Sequence, residues 1–288
     1  MYLFHIPTGL TTISGPTGAG KSTTLCDNIR LLIKECNASR KVITIEDPPE
    51  LLIEGVIQHT YLAQTLEERQ IKTQLAMIAA LRSDPDVIIP GETRDSIAAK
   101  LLFTATETGH QTFTTVHTTD AHTILDRYRG LDVDPLLLYN PKINVGLVAQ
   151  RLVRILCPHC SRTKPSAPLH HTVQERIHML FGNAPLRYVG PGCEHCKKTG
   201  YSRRKVIAEI VITDIEYMDY MRQANHKKAI EYWIRERGGR PMIFQAATLV
   251  GRGEADITDI EEAVGPLTPQ ALIMPTLVEE MRQMCQAA

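Results

Sequence analysis

The stretch that most constrains this chain is Gly15-Pro16-Thr17-Gly18-Ala19-Gly20-Lys21-Ser22-Thr23. It fits G-x-x-x-x-G-K-[ST], a loop whose backbone N–H groups cradle phosphates. Such a loop belongs between a buried strand and a helix, so its flanks are the test. Before it, Leu10-Thr11-Thr12-Ile13-Ser14 is a short β-branched run that reads as a buried strand. After it, Leu25, Ile29, Leu32 and Ile33 recur at helical spacing, and Asn37-Ala38-Ser39 ends the run. Both flanks comply. The glycines let successive N–H groups point inward, and the helix N-terminus adds partial positive charge. Lys21 would then reach the β- and γ-phosphates of a nucleotide, and the Ser22 hydroxyl would hold Mg²⁺.

The strands downstream bring polar residues to the same place. Lys41-Val42-Ile43-Thr44-Ile45 reads as a buried strand that delivers Glu46-Asp47-Pro48-Pro49-Glu50 at its carboxyl end. Ligands of open α/β sheets gather at that edge, so these acids should face the phosphates. The competing reading is a plain turn at Asp47-Pro48, since a residue ahead of proline leaves the helical region. Thr65-Leu66-Glu67-Glu68 has the form of a capping box, and Ile71, Leu75, Ile78 and Ala79 carry a helix to Arg82. Val87-Ile88-Ile89 is the next strand and closes on Pro90-Gly91-Glu92. An apolar strand ending on an acid places a carboxylate beside Mg²⁺ and the attacking water of phosphoryl transfer. Asp95 can cap a helix that stops at Gly109. Within Thr108–Ala121 the centre alternates like a strand, and His117 falls just before a Thr118/Thr119 helix cap. A lone histidine at a strand end is usually structural. Here it is the third polar residue delivered to one edge, which makes His117 a candidate γ-phosphate sensor and His110 a lesser one.

The chain has 288 residues, 43% hydrophobic and 22% charged, enough for a sizeable core. Lys+Arg and Asp+Glu are 32 each, so no global charge points to nucleic acid or to an anionic membrane. No apolar run approaches the roughly 18–20 residues of a membrane-spanning helix, and no signal-peptide pattern opens the sequence. A cytosolic location is expected, with any membrane contact made through partners.

Four of the seven cysteines form two pairs, Cys157-x-x-Cys160 and Cys193-x-x-Cys196. Two such pairs complete a four-thiolate zinc site with no open position, structural rather than catalytic. An empty or oxidised tetracysteine and an iron–sulfur cluster are the weaker readings. His159 and His195 occupy the knuckle interiors, where they would point away from the metal. Arg151–Leu156 and Arg204–Val211 read as strands that pair antiparallel at the sheet edge, with the ion pinning the neck of the segment between them. That segment holds a short helix near Val173–Phe181 and has too little apolar content to fold alone, so metal binding would contribute folding energy. The basic residues Lys197, Lys198, Arg203, Arg204 and Lys205 leave a nucleic-acid zinc ribbon as a competing reading, although only Tyr201 interleaves as an aromatic. From Asp214 the pattern turns helical, with a second capping box at Thr258-Asp259-Ile260-Glu261 and a last helix over Pro275–Gln286.

In order, these motifs resemble one family, the traffic ATPases of type II secretion and type IV pilus assembly. The resemblance rests on the phosphate loop Gly15–Thr23, the acidic box Ile45–Glu50, the Arg82–Asp95 segment and the histidine box Thr108–Ala121. Ala149–Cys160 and Gly192–Tyr201 extend it over essentially the whole chain. It implies an α/β fold with a RecA-like P-loop NTPase core (1–156 plus 201–213). A tetracysteine zinc-binding module (157–200) and a helical C-terminal subdomain (214–288) would complete it. The implied ligands are ATP, Mg²⁺ and Zn²⁺. Glu46 would polarise the lytic water, Glu92 would support Mg²⁺ and water positioning, and His117 would sense the γ-phosphate. Arg94 would be a structural or coupling residue. The implied assembly is a homo-oligomeric ring, a hexamer, at the cytoplasmic face of the inner membrane, bound to platform proteins of a pilus or secretion system. Nucleic acid is not an expected partner. The tetracysteine favours an assembly motor over a retraction motor.

There are departures. Pro90 stands where the family has an apolar residue, Pro49 where it has a small apolar one, and Pro90 would remove a ladder hydrogen bond. The family's N-terminal domain, which supplies arginines to the nucleotide, has no counterpart in this sequence, so poor hydrolysis by this core is expected. The rival readings are a conjugation or DNA-translocating motor, a retraction ATPase, and a nucleotide-gated module that does not hydrolyse.

Overall fold

The computed structural model describes residues 2–36, 39–182, 184–268 and 274–286. Asn37 and Ala38, expected to end the first helix, lie outside the described residues. A 3₁₀ turn over Tyr2–His5 leads into β1 (Gly9–Ser14), α1 (Lys21–Glu35), β2 (Val42–Glu46), β3 (Ile57–Thr60) and α2 (Leu66–Leu81). There follow β4 (Val87–Pro90), α3 (Ser96–Glu107), β5 (Gln111–Val116), α4 (Thr123–Arg129), the one-turn α5 (Pro135–Leu138) and β6 (Asn144–Leu156). The chain closes with α6 (His171–Phe181), β7 (Tyr201–Ile212), α7 (Ile215–Arg222), α8 (His226–Arg235), α9 (Met242–Gly251), α10 (Ile257–Val264) and α11 (Pro275–Gln286).

The strands form one sheet in the order β3-β2-β4-β5-β1-β6-β7. β1 pairs in parallel with β5 and β6, and β2 in parallel with β3 and β4. Strands buried on both faces lose the alternating pattern, which is why Val42–Ile45 and Val87–Pro90 are buried at every position. Ile43, Ile45 and Ile88 pack with Met77 of α2 and Ala105 of α3. Buried hydroxyls tie inner strands to the helices packed on them: Thr12 of β1 to Tyr128 of α4 at 2.8 Å, and Thr112 of β5 to Thr106 of α3 at 2.6 Å.

Pro90 shows how the sheet accommodates a missing donor. The β4–β5 pairing runs through Val87↔Gln111 and Ile88↔Thr112 and stops there. Gly91 donates its N–H to Ile45 at 2.9 Å, so the nitrogen of Pro90 faces β5, where the ladder is open. The Thr114 hydroxyl donates to the Pro90 carbonyl at 3.0 Å in place of a main-chain bond. The pairing then resumes as a Glu92↔Thr115 bridge, with Thr115 N–H on the Gly91 carbonyl at 3.2 Å.

Caps follow the strongest nearby acceptor. Asp95 takes the N–H groups of Ile97 and Ala98 and opens α3 as expected. Thr65 accepts from Glu68 N–H, while the Glu68 carboxylate takes Gln64 N–H, so the return half of the box falls one residue early. Two expected caps are corrected. Asp120, not Thr118 or Thr119, accepts Thr123 N–H at 2.8 Å ahead of α4. Asp256, not Thr258, caps α10, and the Thr258 hydroxyl itself donates to it at 2.8 Å. In both places a carboxylate sits within a turn of the hydroxyl, and its charge matches the helix N-terminus better.

The described residues divide into two compact units, Met1–Gln150 with Glu209–Gly239, and Arg151–Ala208 with Arg240–Ala288. These limits differ from the ranges read off the sequence. Helices α7 and α8 belong with the phosphate-loop unit. There the Trp233 indole donates to the Ile210 carbonyl at 3.1 Å, and Tyr217 OH meets His122 Nδ1 at 2.8 Å. Helices α9 to α11 belong with the tetracysteine segment. Arg176 of α6 makes a two-pronged bond to Glu261 of α10, at 2.7 and 2.6 Å, and Val189 N–H donates to Asp256 at 2.9 Å. The polar segment between the cysteine pairs thus borrows its core from the C-terminal helices. β6 and β7 run antiparallel, as expected: Thr213 N–H reaches Val145 at one end, and Cys157 N–H reaches Gly200 at the other. At 13 and 12 residues both strands are longer than the sequence suggested.

His122, nearly buried between Tyr217 and Trp233, supplies a test. Burial pulls its pKa down to about 4, with Asp120 opposing and His226 assisting. The unfolded chain therefore takes up this proton first, near the ordinary value of about 6.5. Stability from this group is complete above that value and declines as pH falls, by about 3 kcal/mol at pH 4. Urea titrations across this range should show the decline, and His122→Gln should flatten it.

Candidate active site and metal cluster

The phosphate loop is shaped by backbone rather than by side chains. Gly20 is the N-cap of α1 in the left-handed region (φ 81°, ψ 20°), and no side chain caps the helix. A Cβ at Gly18 would meet nothing within 4 Å. A helix that begins without a side-chain cap presents its N-terminus to an external acceptor such as a phosphate. Lys21, 9% exposed, curls over the loop and donates to the carbonyls of Gly15 at 2.8 Å and Pro16 at 3.3 Å. Ala19 N–H bonds Pro16, and the Gln150 amide donates to the Ala19 carbonyl at 2.7 Å, so the loop is braced from β6. Ser14 Oγ, directly ahead of the loop, is buried without a partner among the described residues. Ser22 is half-buried on the first turn of α1. The donor set fits a nucleotide's phosphates, and Ser22 is the residue that would hold their Mg²⁺.

The parallel sheet brings three of the expected residues to the carboxyl edge. Glu92 is the hub: its Oε1 lies 3.3 Å from His117 Nε2, and its Oε2 accepts from Arg94 at 2.8 Å. That bond to Glu92 is the main cause of the raised Arg94 pKa. Arg94 in turn accepts, through its carbonyl, a bond from Arg127 at 3.0 Å. Glu46 stands on the next strand outward, where its Oε1 accepts from Thr44 Oγ1 at 2.7 Å and from Gln58 Nε2 at 2.9 Å. Gly91 lies against it: a Cβ built there would make ordinary van der Waals contact with Glu46 Cγ, at 3.6 Å. Asp47 is structural, holding Arg69 of α2 at 2.9 Å. His110 sits at the opposite end of β5, with Nδ1 2.9 Å from the Ala105 carbonyl, and takes no part in this edge. Gln58 and Thr44 were not singled out in the sequence. Neither lies in a motif, and only the strand register reveals them.

In the other unit, Cys157, Cys160, Cys193 and Cys196 bring their sulfurs within 4.8 Å of one another. The Sγ–Sγ distances are 3.8 Å for 157–193, 3.9 Å for 160–196 and 3.7 Å for 193–196. Four thiolates about 2.3 Å from a tetrahedral zinc stand about 3.8 Å apart, whereas a disulfide needs about 2.05 Å. The spacing fits an ion and not an oxidised pair. Burial alone would raise the Cys196 pKa, but N–H donors from Cys193 and Gly200 outweigh it and bring it to about 6. Burial and the neighbouring thiols push Cys160 up to about 12, the response of a sulfur crowded by others. His159 and His195 stack on each other with ring centres 3.9 Å apart, outside the cluster, as the knuckle spacing implied.

Comparison with known proteins gives these features a family. A sequence model described as Type II/IV secretion system protein matches residues 2–264. Type II secretion system protein E of Aeromonas hydrophila is 37% identical over 243 residues, 81% of this chain and 44% of that protein. The type IV pilus assembly ATPase TfpB of Acinetobacter baylyi is 32% identical over 272 residues, 90% of this chain and 43% of that protein. The chain therefore spans less than half the length of these curated relatives. Among solved structures, the pilus retraction motor PilT with bound ADP has a TM-score of 0.62 at 23% identity, covering 94% of this chain and 65% of that one. The Legionella pneumophila ATPase DotB has a TM-score of 0.60 at 19% identity, covering 91% and 61%. With a phosphate loop on an inner parallel strand and a family match over most of its length, the chain belongs to the Type II/IV secretion system protein family and has the RecA-like P-loop NTPase fold.

Proposed function

We propose that this chain is the core of a Mg²⁺-dependent ATPase motor that drives pilin or pseudopilin assembly. The observation that carries the reading is the placement of Glu92, held between Arg94 and His117 at the edge where the phosphate loop opens. Lys21 and the first-turn N–H groups of α1 bind the β- and γ-phosphates, and Ser22 holds the metal. Mg²⁺, when bound, supplies charge neutralisation across those phosphates. Glu92 would help to hold Mg²⁺ and to position the attacking water, and His117 would exchange its contact with Glu92 for one with the γ-phosphate. Glu46 keeps one oxygen in the Thr44 and Gln58 bonds and turns the other toward the attacking water. Catalysis is then positioning and charge neutralisation, with little covalent work for the protein.

The tetracysteine holds a structural Zn²⁺, which marks the assembly branch rather than retraction. The motor works as a homo-oligomeric ring, a hexamer, in the cytoplasm, and docks on inner-membrane platform proteins of a pilus or type II secretion system. Among the described residues no helix is long and apolar enough to cross a membrane, which agrees with attachment through partners.

Two measurements test this. Glu46→Gln should keep nucleotide affinity while lowering kcat by about 100-fold or more, the range expected when a water-activating group is lost. Wild-type turnover in that variant, or hydrolysis strongly stimulated by DNA, would reject the reading. Reduced, purified protein should carry one zinc per chain by elemental analysis. A Cβ at Gly190 would fall 1.7 Å from the Cys160 carbonyl oxygen, so Gly190→Ala should lose the metal and lower the melting temperature. Protein that folds normally without zinc would remove the metal from the proposal.

A further inference from the structure

Gln58 lies on β3, the edge strand, whose other three residues are exposed. In the parallel pairing it is the register partner of Thr44. Side chains alternate along a strand, so Thr44 and Glu46 share a face of β2, and Gln58 joins them on it. That placement explains why two donors, Thr44 Oγ1 and Gln58 Nε2, converge on the single oxygen Oε1 of Glu46. Among the described residues Oε2 has no hydrogen-bond partner.

The amide of Gln58 is fixed on every side. Its nitrogen also donates to the Leu51 carbonyl at 3.0 Å, and its oxygen accepts Ile53 N–H at 3.0 Å. Flipping it would set an oxygen against a carboxylate and a carbonyl, so the orientation is determined by its partners. The same loop is tied to the phosphate-loop helix, since Arg30 of α1 donates to the Leu52 carbonyl at 3.1 Å.

We infer that Gln58 is a positioning residue for hydrolysis: it locks Oε1 of Glu46 against the 51–53 loop and so directs Oε2 to the attacking water. The inference rests on the role proposed above for Glu46. Gln58 touches no reacting atom. It acts by holding the carboxylate's rotation, and it couples that rotation to the loop behind it. Misplacement of a catalytic group by about 1 Å is enough for a 100-fold loss, so a freed carboxylate should be felt in turnover.

The test is a double-mutant cycle on the full chain, reading kcat for Mg²⁺-ATP, affinity for a fluorescent ADP, and melting temperature. Gln58→Met, similar in volume but without the amide, should lower kcat about tenfold or more and leave ADP affinity within about twofold. Gln58→Glu should lower it further, because it faces Glu46 with a like charge. In the Glu46→Gln background neither substitution should lower kcat by more than about twofold, since residues acting as a unit are non-additive. Wild-type kcat in Gln58→Met, or equal losses in both backgrounds, overturns the inference while leaving Glu46 in place. Wild-type turnover in Glu46→Gln alone overturns the role of Glu46, and the placement of Gln58 falls with it.

Discussion

In a parallel sheet every strand ends at the same edge, and four neighbouring strands here carry their chemistry to that end. β1 runs into the phosphate loop, β5 into His117, β4 into Glu92, and β2 ends on Glu46. No long-range packing of side chains is needed to bring these groups together. Strand direction does it, and the order in the sheet sets their sequence across the edge. The intervening β5 puts His117 between the loop and the acid-bearing strand, where Glu92 meets it. Buried Thr–Thr and Thr–Tyr bonds fasten α3 and α4 to the inner strands without adding charge to the core.

The second unit uses a different principle. Its cysteine pairs emerge where β6 ends and β7 begins, so one main-chain bond, Cys157 N–H to Gly200, closes the neck that the four sulfurs surround. Beyond the neck the segment has few apolar residues, but Leu180 and Phe181 at the end of α6 are buried. The Arg176–Glu261 pair is only 16% and 12% exposed and is matched in geometry on both prongs, the arrangement in which an ion pair specifies a partner rather than merely tolerating one. The C-terminal helices therefore supply the packing that this segment lacks, while its neck is closed by four sulfurs at a spacing that fits an ion.

Local signals were legible in the sequence. The phosphate loop, the buried strands on both sides of it, the Asp95 cap and the spacing of the cysteines all depend on residues within a turn or two of one another. The placement of Glu46 and Glu92 was legible because each closes an apolar strand, and that of His117 because an alternating, threonine-rich strand delivers it to the same edge. What escaped depends on neighbours distant in sequence or on competition between adjacent acceptors. Gln58 matters through its register with Thr44, which no pattern in residues 57–60 discloses. Asp120 and Asp256 won helix caps from nearby threonines because a carboxylate outcompetes a hydroxyl when both can reach. The grouping of α7 and α8 with the core rests on Tyr217 and Trp233 meeting His122, three residues that sequence periodicity treats as unrelated.

Pro90 has a consequence for how the sheet is held. Up to Ile88 the acid-bearing strand is stitched to both neighbours, and its register is fixed. At Pro90 the stitch to β5 is replaced by one hydroxyl contact from Thr114. A hydroxyl rotates, and a peptide group does not. Past this contact the turn that carries Glu92 is fixed to β5 again, by Thr115 N–H on the Gly91 carbonyl and Thr93 N–H on the Thr115 carbonyl. The sheet thus has one soft link between two stitched stretches, and Glu92 keeps its place beside His117 because main-chain bonding resumes on the far side of the proline.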